Sequence, residues 1–172
     1  MIRAVFIDRD GVVLNNAHHY YIFREEDMEL VEGIGENLKR IQDKGYQLFM
    51  VTNQGGISKG LYTMHDVEKV HRKMNEMLAG NDVVVTEIAI CPHHDKIEKC
   101  LCRKPGSLMI EKLIAKYRID AACSYFIGDS ESDMLAAERA GVKGIRIVAN
   151  QSMESFVAKI PKQENEMSSN RK

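Results

Sequence analysis

Five short, nearly unbroken apolar runs, rich in β-branched and aromatic residues, punctuate the chain: IRAVFI (2–7), YQLFMVT (46–52), VVVTEIAI (83–90), SYFIG (124–128) and GIRIV (144–148). Runs this short, without polar alternation, predict strands buried on both faces, as in a parallel sheet covered by helices on either side. Between them apolar residues recur at helical spacing: Ile34, Leu38, Ile41; Val67, Val70, Met74, Met77; Ile110, Leu113, Ile114, Tyr117; and Met134, Leu135, Ala137. Each set stacks on one helix face. Thr63 with Asp66 reads as a capping box, Ser107 as the cap of the third helix, and Gly45 and Gly141 as helix stops. The alternation predicts an α/β fold with a doubly wound, mainly parallel five-stranded sheet and helices on both faces. At 172 residues the chain fits one domain, expected over residues 1–161; residues 162–172 lose all periodicity and read as a polar tail.

Charge and hydropathy narrow the function classes. A net charge of −1 with interleaved signs offers no positive field for nucleic acid or an anionic membrane, so the expected partner is a small molecule. No apolar run is long enough to span a bilayer, and acidic residues come too early in MIRAVFIDRDG for a secretory signal. A cytoplasmic monomer is the expectation. In that reducing compartment clustered cysteines point to metal or chemistry rather than disulfides.

In an open parallel sheet, ligands bind beyond the carboxyl ends of the strands. The first predicted strand ends in Asp8-Arg9-Asp10-Gly11, the second in Thr52-Asn53-Gln54-Gly55-Gly56, and the fourth in Gly128-Asp129-Ser130-Glu131-Ser132-Asp133; Lys104 follows the third. Carboxylates, a hydroxyl and a lysine converging on one edge suit phosphoryl transfer with a hard cation such as magnesium. Asp8 is the candidate nucleophile and Asp10 the general acid/base, while Thr52 and Lys104 would hold phosphoryl oxygens. Asp8, Asp10 and Asp129 are the expected magnesium ligands. Asn53, Gln54, Lys59 and Arg103 are the expected substrate contacts. Asp133 reads first as a cap of the helix that follows. Asp-x-Asp-Gly alone is equally compatible with a turn after a strand.

The stretch CPHHDKIEKCLCRKP (91–105) holds three of the four cysteines. Cys91, His93, Cys100 and Cys102 form two short ligand pairs that can supply a tetrahedral set for zinc, with His94 as the rival imidazole. Four protein ligands leave no open position, so such a zinc is structural. It would fix the chain two residues before Lys104, and with it Arg103, whose planar fork suits a substrate oxygen. Lys104 precedes Pro105 and is expected to be extended. Cys123 stands alone and reads as a small buried hydrophobe.

Taken together, DRDG (8–11), TNQ (52–54), CRKP (102–105) and GDSESD (128–133) resemble, in order, the four motifs of the haloacid dehalogenase superfamily of phosphatases, over about residues 1–150. The resemblance implies Asp8 as nucleophile, Asp10 as acid/base, and the Asp10 backbone carbonyl as a magnesium ligand. The cysteine and histidine loop is similar to that of a branch with a minimal cap, acting on the 7-phosphate of D-glycero-D-manno-heptose 1,7-bisphosphate or on histidinol phosphate. NQGGISKGLYT (53–63) and HHYYI (18–22) resemble the heptose type; the six residues between His93 and Cys100 are nearer the histidinol type. Val12 and Ser130 stand where heptose enzymes often carry threonine and lysine. A receiver-like phosphate-accepting domain is the rival from another class, although its acceptor aspartate lies mid-chain.

Overall fold

A computed structural model describes residues 1–163. Ala4–Ile7 (β1), Gln47–Asn53 (β2), Val85–Cys91 (β3), Tyr125–Gly128 (β4) and Lys143–Arg146 (β5) pair in parallel in the order β3-β2-β1-β4-β5. The helices are Ile34–Asp43 (α1), Met64–Ala79 (α2), Leu108–Tyr117 (α3), Glu131–Arg139 (α4) and Glu154–Lys159 (α5).

Side chains alternate across the sheet and split the core in two. Val5, Ile7, Leu48 and Met50 face α1, α2 and α5, whereas Ala4, Phe6, Phe49 and Val51 face α3 and α4. Both faces of β1 and β2 are therefore covered, which explains their unbroken apolar runs. The outer strands depart from that expectation. β3 and β5 are sheet edges, and β5 is largely exposed because no neighbour lies beyond it.

Helix ends follow the local chemistry. Thr63 and Asp66 close the capping box on α2, and Gly45 and Gly141, at φ +94° and +71°, end α1 and α4 in left-handed backbone. Ser107 is the N-cap of α3, yet its hydroxyl donates to Glu111 Oε1 at 2.5 Å rather than accepting from the helix. The Lys104–Pro105 peptide is cis. Cys123 is half-buried, in a 3-10 turn at the surface rather than in the core. The expected polar tail lies outside the described residues from 164 onward. Among the described residues, no helix is long and apolar enough to cross a membrane.

Candidate active site

β1 lies between β2 and β4, and the chain diverges to opposite faces there, so the loops after these strands open a crevice at their carboxyl ends. A cavity of about 320 Å³ occupies it, lined in part by Asp8, Asp10, Asn53, Arg103, Lys104 and Asp129. Two glycines permit the close approach. A Cβ on Gly11, at φ +82°, would stand 2.5 Å from Asp129 Oδ2, and one on Gly128 would stand 2.4 Å from Asp133 Cβ.

Lys104 is the electrostatic centre. Its buried ammonium lies 2.7 Å from Asp8 Oδ1 and 2.6 Å from Asp133 Oδ1, and donates to the Val51 carbonyl at 2.9 Å. Burial works to lower its pKa, but the two carboxylates outweigh burial and hold it above the ordinary lysine value. Asn53 clamps the same residue from the backbone, accepting from Lys104 N at 3.0 Å and donating to its carbonyl at 3.1 Å. Asn53 is paired with Cys91 across β2 and β3, so the second motif and the cysteine loop meet at one strand end.

Asp8 has the opposite problem. Burial pushes its carboxyl up to about 7; Lys104 opposes the shift, while Asp133 and Asp10 add to it. Asp129 is also raised, by burial and then by Asp133. One carboxylate oxygen from each of Asp8, Asp129 and Asp133 lies within 4.8 Å of the others. Asp133 Oδ1 is buried and has the ion pair to Lys104 but no hydrogen bond of good geometry. An all-oxygen set with a poorly satisfied buried atom fits a hard divalent cation.

The remaining expected residues divide. Asp10 lines the cavity, but both its carboxylate oxygens accept from Arg9, at 3.0 Å each. Thr52 and Gln54 are buried and do not line the cavity; Gln54 Nε2 donates to Thr52 Oγ1 at 2.8 Å and to Asp10 Oδ2 at 3.0 Å. Thr52 Oγ1 thus accepts from Gln54 and keeps its own proton to donate, while Gln54 Nε2 bridges Thr52 and Asp10. Lys59 donates to the Tyr21 hydroxyl at 2.9 Å instead of entering the cavity. Tyr20 and Tyr21 form the rim, whereas His18 and His19 are outside it. Arg103 enters the cavity and is tied to the cysteine loop by its bond to the His93 carbonyl at 3.0 Å.

Asp133 does more than cap a helix. Its carboxylate closes a capping box with Ser130 at the start of α4 and also faces Lys104. Arg9, an arginine inside the charged, turn-forming motif that carries Asp8 and Asp10, is fully buried.

The cysteine loop gathers Cys91, His93, Cys100 and Cys102. Cys91 Sγ lies 3.5 Å from His93 Nδ1, 3.7 Å from Cys100 Sγ and 3.2 Å from Cys102 Sγ, and His93 Nδ1 lies 3.2 Å from Cys102 Sγ. Tetrahedral zinc with ordinary bond lengths separates sulfur pairs by about 3.8 Å and sulfur from nitrogen by about 3.6 Å. The donors sit close to that spacing. Burial and the neighbouring Cys102 thiol push the Cys91 thiol up, so a cation is what would hold it as thiolate. His94, the rival ligand, lines the active cavity instead.

A family model described as haloacid dehalogenase-like hydrolase matches residues 6–147. A D-glycero-beta-D-manno-heptose-1,7-bisphosphate 7-phosphatase of Haemophilus ducreyi is 42% identical over 147 residues, covering 82% of this chain and 80% of that one. A D-glycero-alpha-D-manno-heptose-1,7-bisphosphate 7-phosphatase of Campylobacter jejuni is 36% identical over 152 residues, covering 88% and 86%. The crystal structure of the D,D-heptose 1,7-bisphosphate phosphatase of B. bronchiseptica, complexed with magnesium and phosphate, superposes with a TM-score of 0.78 at 29% identity, covering 83% and 79%.

Proposed function

The chain belongs to the haloacid dehalogenase-like hydrolase family, and on that premise we propose that it is a magnesium-dependent phosphomonoesterase that removes the 7-phosphate of D-glycero-D-manno-heptose 1,7-bisphosphate. The observation that carries the reading is Asp8: a desolvated carboxylate 2.7 Å from a buried lysine, at the floor of an open cavity. Relatives 42% and 36% identical to this chain over the aligned residues bear that activity in their names.

Asp8 attacks phosphorus, forming an aspartyl-phosphate as the bond to the leaving oxygen breaks. Asp10 gives that oxygen its proton, then takes one from the water that hydrolyses the intermediate. Lys104, held by the Asn53 clamp, places positive charge where the phosphoryl oxygens gather in the transition state. Magnesium, held by Asp8, Asp129, Asp133 and the Asp10 backbone carbonyl, would neutralise the charge between nucleophile and phosphate. Arg103 and the tyrosine rim are the substrate contacts. Cys91, His93, Cys100 and Cys102 would hold a structural zinc, which would anchor the loop that carries Arg103 and Lys104. Residues 1–161 act as one catalytic unit in the cytoplasm.

Steady-state turnover of heptose 1,7-bisphosphate and histidinol phosphate, with magnesium present, tests the assignment. A preference for the heptose ester of at least ~100-fold in kcat/KM is expected, about 2.7 kcal/mol of transition-state discrimination. Equal or reversed preference contradicts it.

A further inference from the structure

Arg9 takes no part in the mechanism above, yet its contacts lead to one place. The side chain is fully buried. Nε donates to Asp10 Oδ1 and Nη2 to Asp10 Oδ2, both at 3.0 Å, so a planar fork grips both oxygens of one carboxylate. The other contacts are neutral. Nη2 donates to the Ile22 carbonyl at 2.9 Å, and Nη1 lies 3.3 Å from His71 Nε2. Burial, helped by the arginine, pushes the His71 imidazole down to about 3, so the ring is neutral and its Nε2 accepts from Arg9. On the far side Gln54 donates to Asp10 Oδ2, and Tyr62 holds Gln54 by donating to its Oε1 at 2.9 Å.

Burying a cation costs several kcal/mol unless it is paired, and here the pairing is spent on one carboxylate that also reaches the cavity. We propose that Arg9 is a positioning residue for proton transfer: it fixes the orientation of the Asp10 carboxyl toward the leaving oxygen and, later, toward the attacking water. The inference rests on Asp10 being the acid/base. In the first step the Asp8 oxygen bonds phosphorus, the bond from phosphorus to the leaving oxygen breaks, and the Asp10 proton passes to that oxygen. In the second the water oxygen bonds phosphorus, the bond to Asp8 breaks, and a water proton returns to Asp10. Arg9 gains and loses nothing in either step.

The test compares heptose 1,7-bisphosphate with p-nitrophenyl phosphate, whose phenolate leaves without needing a proton. Because kcat/KM reports the steps through bond cleavage, Arg9→Met should lower it at least ~30-fold on the sugar ester and less than ~3-fold on the nitrophenyl ester. Arg9→Lys should fall between, since an ammonium keeps the charge and loses the fork. In an Asp10→Asn background, Arg9→Met should add nothing to the loss on the sugar ester. Thermal unfolding shows whether Arg9→Met folds; if it does not, Arg9→Lys carries the same two-ester comparison. Equal losses on both esters, or additive losses with Asp10→Asn, overturn the proposal while leaving the function intact. A wild-type chain that cleaves neither ester overturns both. One that cleaves nitrophenyl phosphate and not the heptose ester overturns the substrate alone, and histidinol phosphate, also an alkyl ester, then replaces it in the comparison.

Discussion

Asp8→Asn should abolish turnover and, without magnesium, make the protein more stable in a way that depends on pH. The Asp8 carboxyl is raised from 3.8 to about 7 in the folded chain, mainly by burial. Folded protein therefore binds more protons than unfolded protein between those values. The stability associated with Asp8 is complete below about pH 4 and is lost as pH rises through about 7. Linkage puts the loss at about 2 kcal/mol by pH 5 and about 4 kcal/mol by pH 8, a change of a few kcal/mol across that window. Asparagine cannot ionise, so it escapes this loss. Urea unfolding of both proteins, with magnesium withheld and zinc in place, should show the variant's advantage widening by about 2–3 kcal/mol from pH 5 to pH 8. The raised Asp129 is common to both chains, and Asp8 is not among the causes of its shift, so it largely cancels. Lys104 keeps Asp133 as a partner in the variant, and its high pKa keeps that change independent of pH in this range. Saturating magnesium should shrink or reverse the gap, because wild type alone keeps the full carboxylate set. A gap constant within about 0.5 kcal/mol over the window would refute the claim that burial poises the nucleophile.

Lys104→Met leaves Asp8 and Asp133 buried without their cation; a loss of about 3–5 kcal/mol at neutral pH is expected in a denaturant titration, with kcat down at least ~100-fold. Gly11→Ala forces a Cβ to within 2.5 Å of Asp129 Oδ2 on left-handed backbone, so about 1–2 kcal/mol of stability should go and half-maximal activity should need more magnesium, as a metal titration of turnover would show. Cys102→Ser should drop zinc well below one ion per chain by metal analysis and reduce kcat through the displaced Lys104, whereas full zinc retention would contradict the proposed ligand set.

What could be read in advance was whatever depends on local pattern. The apolar runs of β1 and β2, the capping box at Thr63 and the left-handed stops at Gly45 and Gly141 are set by nearest neighbours along the chain. Strand ends then bring Asp8, Asn53, Lys104 and Asp129 to one edge, as ordered motifs require. Less legible were features decided across space. α5 is only six residues long and owes its place to packing of Val157 and Ile160 against α1 and the sheet. Thr52 and Gln54 lie in a motif that faces the site, yet their side chains turn inward to each other and to Asp10. Asp133 satisfies a local cap rule and a distant ion pair at once, and only the second bears on the chemistry. Edge exposure of β5 is likewise fixed by strand order, which no run of residues encodes.

The central claim is covalent: phosphate passes through Asp8. Acid quench during turnover of heptose 1,7-bisphosphate with magnesium, followed by peptide mass spectrometry, tests it directly. The account predicts that the peptide containing residues 8–10 gains the mass of one phosphoryl group, carried on Asp8 and absent from Asp8→Asn. Rapid turnover with that peptide unmodified at every quench time, or substantial turnover by Asp8→Asn, would contradict it.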